Sequence, residues 1–467
     1  MEEDHEELLQ CTDDESLSET EEQCCPMQKS EEHYLPPLTF FVHTKLKFFS
    51  YLVLLILSTF CLLIVVPLYT SSINAKGNIY SILIINTLYT CCIHLVIFGI
   101  LSVISEKYKY TKFFKIPIKF WELIKLSGIY LLCGLIYFYA TDRNKVVCHL
   151  QDPLKGIIVV FSLLYYFFFC RNLMGLHRIF STTAVIVGLF VAIDYGLCDE
   201  FVCRGYDRKQ AFDDSGPWSW KVHSIWTGIY ISGLTSFAAY FTLLDRHVMP
   251  ENDMMSHNLI SNCFVNTISR SVTTSTSNLV SAKTEEIQSK VNVQLPKCKS
   301  ALQLSFWIHI FVFGLMLLTF WIDFIPGVGK GNTPAESWNY TLNGLMCHVA
   351  KPNTENCGNV FWYMIAFQIA YAIFALSSVK FLMLSQSAVF TVAAMSCALP
   401  LIGIWWSMFY ATPNGILVWS PKIRGEFVCS IIGIPIVSIG LGLLCKAHFE
   451  DYRRFITGRM TTRSQLP

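Results

Sequence analysis

The sequence predicts an all-α polytopic membrane protein of about ten transmembrane helices, arranged as two inverted five-helix halves. Three observations predict it. Of the 467 residues, 53% are apolar and only 15% are charged, against about 25% charged in a soluble globular domain. Ten mostly apolar stretches approach the roughly 20 residues needed to cross about 30 Å of hydrocarbon. A long polar segment then separates two groups of these stretches. The balance excludes an ordinary soluble enzyme and a disordered regulator. With a net charge of +1 and no basic stripe, no nucleic-acid partner is expected.

The elements follow in order. Residues 1–40 form an acidic tail; residues 1–33 carry thirteen acids and one base, Lys29. A secretory leader has a basic start and a short apolar core, and this tail has neither. It is expected to be disordered and cytosolic, with the first span as an uncleaved anchor. The spans are read near Phe48–Tyr69, Ile79–Ser105, Phe120–Ala140, Leu154–Cys170 and Ser181–Leu197. The second five are Ser224–Leu244, Leu302–Ile325, Val360–Leu384, Ser387–Phe409 and Phe427–Cys445. Only Arg171-Asn172 through His177-Arg178 divides the fourth from the fifth, so nine spans are the alternative.

Residues 41–246 thus hold the first half together with the span at 224–244, which residues 302–446 complete into the second. Residues 247–301 read as a cytosolic linker, low in complexity over Ser269–Ser277. An odd number of spans per half inverts one half relative to the other, and inverted halves around a midplane site are a common transporter plan. Residues 447–467 read as a basic cytosolic tail.

Short-loop charge orients the chain. Lys45 and Lys47, the lysines from Lys107 to Lys119, Arg171, Arg178, and Lys446 with Arg453 and Arg454 all fall on one side, predicted cytosolic with both termini. Asn339-Tyr340-Thr341 is a glycosylation sequon in the loop after the seventh span, predicted lumenal.

Eighteen cysteines are present. Those inside spans read as small apolar residues. Cys148, Cys198, Cys203, Cys347 and Cys357 are predicted lumenal, where an oxidising environment favours bridges. Cys347–Cys357 and Cys198–Cys203 are the local pairings, although spacing alone does not fix connectivity. Neighbouring His149 and His348 complete no ligand-spaced quartet, so neither a metal nor a cofactor is expected.

Ionisable and amide side chains inside a bilayer are costly, which makes each a functional candidate. His94 and Gln368 lie near the middle of the second and eighth spans, Asn86 in the outer part of the second, and His309 in the inner third of the seventh. A midplane histidine titrates near neutral pH and suits proton coupling. Gln368 and Asn86 also suit an interhelical hydrogen bond, and His309 suits packing beside Trp307. Asp194, Asp323, Glu122 and Lys380 lie toward span ends, where an interfacial role competes. The ninth span is rich in small and hydroxyl residues, with Ser387, Thr391 and Ser396 fit to line a polar cavity, and Pro400 is expected to kink it. No Lys or Arg is central to any span. HExxH, G-x-S-x-G and P-loop patterns are absent, so no enzyme is expected.

Asp4-His5-Glu6-Glu7-Leu8-Leu9 has the form of an acidic dileucine sorting signal, with Asp4, Leu8 and Leu9 as the residues a clathrin adaptor would read. That places the protein in lysosomal or endosomal membranes, with the plasma membrane second.

The plan of ten spans, two inverted halves and cytosolic termini resembles the drug/metabolite transporter superfamily. Phe161-Ser162-Leu163-Leu164-Tyr165-Tyr166-Phe167 through Gly188-Leu189-Phe190-Val191 resembles its fourth and fifth spans. Ser387–Pro400, followed by Ile431–Gly440, resembles its ninth and tenth. The loop with Cys347 and Cys357 resembles the chloroquine-resistance-transporter-like branch. The resemblance covers about residues 40–450 and is architectural; the polar linker and the charged segment 198–221 depart from it. It implies alternating access about a cavity lined by the second and seventh to ninth spans, with a small organic solute and protons as partners and export from an acidic organelle. A channel or receptor-like protein, or a Golgi nucleotide-sugar carrier with cavity cations for phosphate, are the alternatives.

Overall fold

The structure is a computed structural model. It describes residues 38–74, 77–104, 116–141, 145–146, 151, 154–169, 175–192, 202–203, 206–207, 220–248, 300–325, 327–331, 333–349, 357, 359–412, 415–421, 423 and 425–463. The described residues from Leu46 onward belong to one compact unit.

The helices are α1 (Leu38–Asn74), α2 (Ile79–Ile104), α3 (Phe120–Ala140), α4 (Ile157–Phe169), α5 (Leu176–Ala192) and α6 (Trp220–Val248). Then come α7 (Ala301–Leu318), a 3-10 turn at Phe320–Phe324, α8 (Pro334–Val349), α9 (Val360–Ser385), α10 (Ala388–Ser396), α11 (Ala398–Met408) and α12 (Gly425–Arg463). Among the described residues, eight helical segments are long and apolar enough to cross a membrane; α10 and α11 together count as one. The chain is an all-α membrane protein, with two small antiparallel pairs: β1 (Val202–Cys203) with β2 (Tyr206–Asp207), and β3 (Phe409–Ala411) with β4 (Leu417–Trp419).

The eight coincide with eight of the ten predicted spans. The fourth and fifth come out as separate helices of 13 and 17 residues, about 20 and 26 Å at 1.5 Å per residue and short of a full crossing. Helix α5 starts five residues before the predicted span and takes His177 and Arg178 into its first turn. Long polar side chains at a helix end can reach the interface along their own stems. Helix α12 continues beyond the predicted tenth span into the basic tail as far as Arg463, helped by the i,i+4 pair Lys446–Glu450.

The loop after the seventh span also holds a helix that periodicity in an apolar search does not reveal. Pro334 stands at the first position of α8, where a missing N–H is harmless, and the Thr333 hydroxyl accepts from the Glu336 amide at 3.3 Å. Ser337, Thr341, Gly344, Cys347 and His348 form its buried face. In the ninth span the predicted break is present: Cys397 separates α10 from α11, and Pro400 lacks the N–H that the Ser396 carbonyl would accept.

Close helix approach depends on glycine at one crossing above all. A Cβ on Gly433 of α12 would lie 2.3 Å from the Ala192 Cβ of α5, and one on Gly188 of α5 would lie 2.7 Å from the Val437 amide of α12. These two helices pack along their lengths because no side chain intervenes. Elsewhere α3 packs on α6 and α7, α4 on α6 and α10, and α2 on α7 and α9. Helix α1 joins α9 and α10 through Phe48, whose ring lies 5.1 Å from Phe381 and 5.9 Å from Phe390, and joins α11 through Leu68, Ile402 and Trp406.

Candidate functional site

The side where α1 begins is called the first face, and the side where α1 ends and α2 begins the second. Between them lies a cavity of about 230 Å³. Its wall draws on α1, α2, α3, α6, α7, α9, α10 and α11, and on residues 155–158 at the start of α4. Leu62, Leu83, Phe138, Phe237, Phe367 and Met395 are typical of this wall, which is mostly apolar. Asn86, Tyr130, Tyr371, Ser396 and Lys155 are its main polar members. Lys155 is the one charged residue of the wall among the described residues. It comes from the end of the predicted fourth span rather than its centre.

Residue spacing explains the polar seam behind this wall. Asn86, Thr90 and His94 recur every four residues on α2, and Ser305 and His309 do so on α7, so each set shares a helix face. Gln368 and Tyr371 lie three apart on α9. Facing one another, these sets exchange hydrogen bonds. The Gln368 amide donates to Asn86 Oδ1 at 2.5 Å and to the Asn86 carbonyl at 3.1 Å, and the Thr90 hydroxyl approaches Gln368 Oε1 at 3.2 Å. Asn86 in turn donates to the Tyr69 hydroxyl at 3.1 Å.

The two central histidines are stacked with ring centroids 5.1 Å apart. His94 Nδ1 lies 2.8 Å from the Thr90 carbonyl and His309 Nδ1 lies 2.7 Å from the Ser305 carbonyl. A carbonyl only accepts, so both Nδ1 atoms carry hydrogen and both Nε2 atoms are left as acceptors in the neutral rings. Ser305 Oγ then donates to His94 Nε2 at 2.8 Å, and the Tyr371 hydroxyl donates to His309 Nε2 at 3.0 Å. Tyr130 stands 2.5 Å from Tyr371 and donates to its oxygen. The cavity wall is therefore linked to the buried His309 through two tyrosine hydroxyls.

A second chain reaches the second face. The Tyr69 hydroxyl donates to His348 Nε2 at 2.5 Å, and His348 Nδ1 donates to the Gly344 carbonyl at 2.5 Å. His348 lies on α8, outside the spans, and burial lowers its pKa below the usual imidazole value. Beside it Asp323 accepts from Tyr139 at 2.8 Å and from Asn78, which also donates to Thr341 at 2.7 Å. The Lys145 ammonium donates to the Val328 carbonyl at 2.6 Å and sits 4.4 Å from the Trp226 ring centre. These contacts pin α2, α3, α7 and α8 together on the second face.

The predicted site residues divide into several groups. Asn86 and Ser396 line the cavity. Gln368 holds Asn86, and His309 and His94 stand behind the tyrosines. His309 contacts Tyr371 and His94, as well as lying on the helix that carries Trp307. Ser387 and Thr391 do not line the cavity: Ser387 caps α10, accepting from the Phe390 amide at 3.3 Å, and Thr391 donates to the Ser387 carbonyl at 3.0 Å. Both lie toward the first-face end of α10, Ser387 more than a turn before the first wall residue, Val392, and Thr391 directly before it with its hydroxyl turned back to Ser387.

Cys347 and Cys357 form a disulfide, tying the end of α8 to the start of α9. Asn339 is exposed on α8. Asp4, Leu8, Leu9, Asp194 and Cys198 lie outside the described residues, as does the side chain of Cys203. Among the described residues no group of three or more His, Cys, Asp or Glu is placed to hold a metal ion.

Sequence reading missed Tyr130, Tyr371, Tyr69 and His348. The spacing of Tyr371 from Gln368 was the available signal. Tyrosine is so common in these spans that position alone does not single it out. In comparison with known proteins, no family model and no curated protein matches the chain.

Proposed function

We propose that the protein is a multi-pass transporter of a small organic solute, working by alternating access and coupled to protons. The observation that carries this reading is the cavity at mid-depth with a hydroxyl–imidazole chain behind its wall. A small, mostly apolar pocket with a few convergent polar groups suits an organic solute. Tyr130, Tyr371 and His309 offer a route by which a proton can reach the stacked histidines. Two like charges 5.1 Å apart repel, so the pair would hold one proton at a time.

The inverted-half plan supports the same reading. Number the spans one to ten, α4 and α5 being the fourth and fifth and α10 with α11 the ninth. Several of the contacts then occur in mates related by adding five: three–seven with eight–two, three–six with eight–one, and four–six with nine–one. The pairs five–ten, four–nine and two–seven map onto themselves. Such mates are what two inverted repeats around a central site would give. The ten-span count is part of this proposal, with the two short helices completing the set.

The first face is assigned to the cytosol and the second to the lumen of an acidic organelle. The disulfide and the exposed Asn339 on the second face support this, since bridges persist in oxidising compartments. The nucleotide-sugar alternative gains Lys155 in the wall, but a mostly apolar cavity suits a cargo that long and polar poorly.

The test is metabolite profiling of isolated acidic organelles with and without the protein. Export predicts that one small organic solute accumulates several-fold in its absence and returns to normal on re-expression. An unchanged profile would count against the assigned membrane and direction.

A further inference from the structure

Asp245 lies three residues before the end of α6, at the first face, and is 5% exposed. One carboxylate oxygen accepts from the Ala388 amide at 3.1 Å. The other oxygen is buried and has no hydrogen-bond partner among the described residues. A buried carboxylate oxygen without a donor is costly, and its sister oxygen ties the group to the start of α10. That helix is part of the cavity wall. Val392, one turn from Ala388, and Met395 and Ser396 beyond it line the space.

The surroundings are hydroxyl-rich. The turn from α9 into α10 carries Ser385 and Ser387, with Gln386 at φ +50°. Ser385 Oγ lies 3.3 Å from Thr391 Oγ1. Arg178 on α5 is the cation acting on Asp245. The other ionisable groups near the first-face end of α6 include Glu122 and Lys125 on α3, Arg246 and His247 on α6 itself and Lys380 on α9. Glu122 is engaged by His247 at 3.1 Å and by Lys125 at 3.6 Å. Helix α4 brings only Tyr165 and Tyr166, and α10 brings none.

We propose that Asp245 is a coupling-cation site, its open oxygen taking one monovalent cation, a proton or Na⁺, with occupancy setting the hold on α10. The inference rests on the transporter reading above and assigns the cation a second station, distinct from the histidine pair. As an anion, Asp245 is stabilised by the α10 N-terminus and in turn fixes it. With the cation bound, that charge is neutralised and the attraction weakens. Helix α10 is then freer to move against α6, and the cavity wall moves with it. Neutralisation at Asp245 would thus loosen the start of α10 at the first face.

The test needs no cargo. Infrared difference spectra of the full chain in nanodiscs are recorded while pH is lowered, with choline as the only salt cation, and again with Na⁺ replacing choline. A proton site predicts a carboxylic-acid carbonyl band that grows on acidification and is missing in Asp245→Asn. The amide oxygen of that variant can still accept from Ala388. A Na⁺ site predicts instead a Na⁺-dependent shift of the carboxylate band, also missing in the variant. Should Asp245→Asn fail to fold, Asp245→Glu must move the band or its midpoint. Spectra identical in wild type and both variants under both titrations overturn the proposal. Pairing that result with intact gradient-driven transport would leave the transporter reading standing and remove only this site.

Discussion

His348 gives the clearest residue-scale consequence. Burial depresses its pKa below the ordinary value of 6.5, so the folded state binds its proton more weakly than the unfolded chain. Stability from this residue is therefore present above about pH 6.5 and lost as pH falls toward the depressed value. Protonation also removes the acceptor for the Tyr69 hydroxyl. Thermal unfolding of the detergent-purified protein should show Tm falling with acidification, and His348→Phe should make that slope shallower. An unchanged slope would remove His348 from the pH response. At this scale the sequence was informative where chemistry is rare: histidine and amide side chains inside apolar spans stand out, and Asn86, His94, His309 and Gln368 all belong to one seam. Tyr130, Tyr371 and Asp245 were not legible. Tyrosine blends into an aromatic span, and a carboxylate near a predicted helix end reads as interfacial until its burial is known.

At the scale of elements, the α5–α12 crossing depends on residues with no side chain. Gly433→Leu would drive a side chain into Ala192 and should cost about 1–3 kcal/mol, the range for overpacking. Gly442→Leu, on the same helix with open space around it, is the control and should be near neutral. Heat-induced aggregation of the two purified variants separates them; equal losses would mean the crossing is not held by close approach. The apolar runs revealed eight spans with small boundary errors, because twenty apolar residues leave few alternatives in lipid. The break at Cys397 followed from Pro400. Helix α8 was hidden because its buried face is made of Ser, Thr, Gly, Cys and His, which carry little hydrophobic periodicity. Helix α4 is four residues shorter than the predicted fourth span, and α5 has the predicted length but begins five residues earlier.

At the scale of the whole molecule, the proposed function treats cavity, seam and second-face contacts as one gradient-reading device: His348 toward the second face, the histidine pair at mid-depth and Asp245 at the first. Delivery to an acidic organelle is a separate expectation resting on the amino-terminal signal. Replacing Leu8 and Leu9 together by Ala should redistribute the protein to the plasma membrane, seen by surface labelling. Continued residence in acidic organelles would dismiss the signal. The most direct measurement of the central claim is uptake of the accumulating solute into proteoliposomes under an imposed pH gradient. Wild-type uptake should rise with the gradient and collapse with a protonophore, while His94→Gln and Tyr371→Phe fold normally and lose the pH dependence. Uptake indifferent to the gradient, or variants with wild-type pH dependence, would contradict proton coupling through this seam.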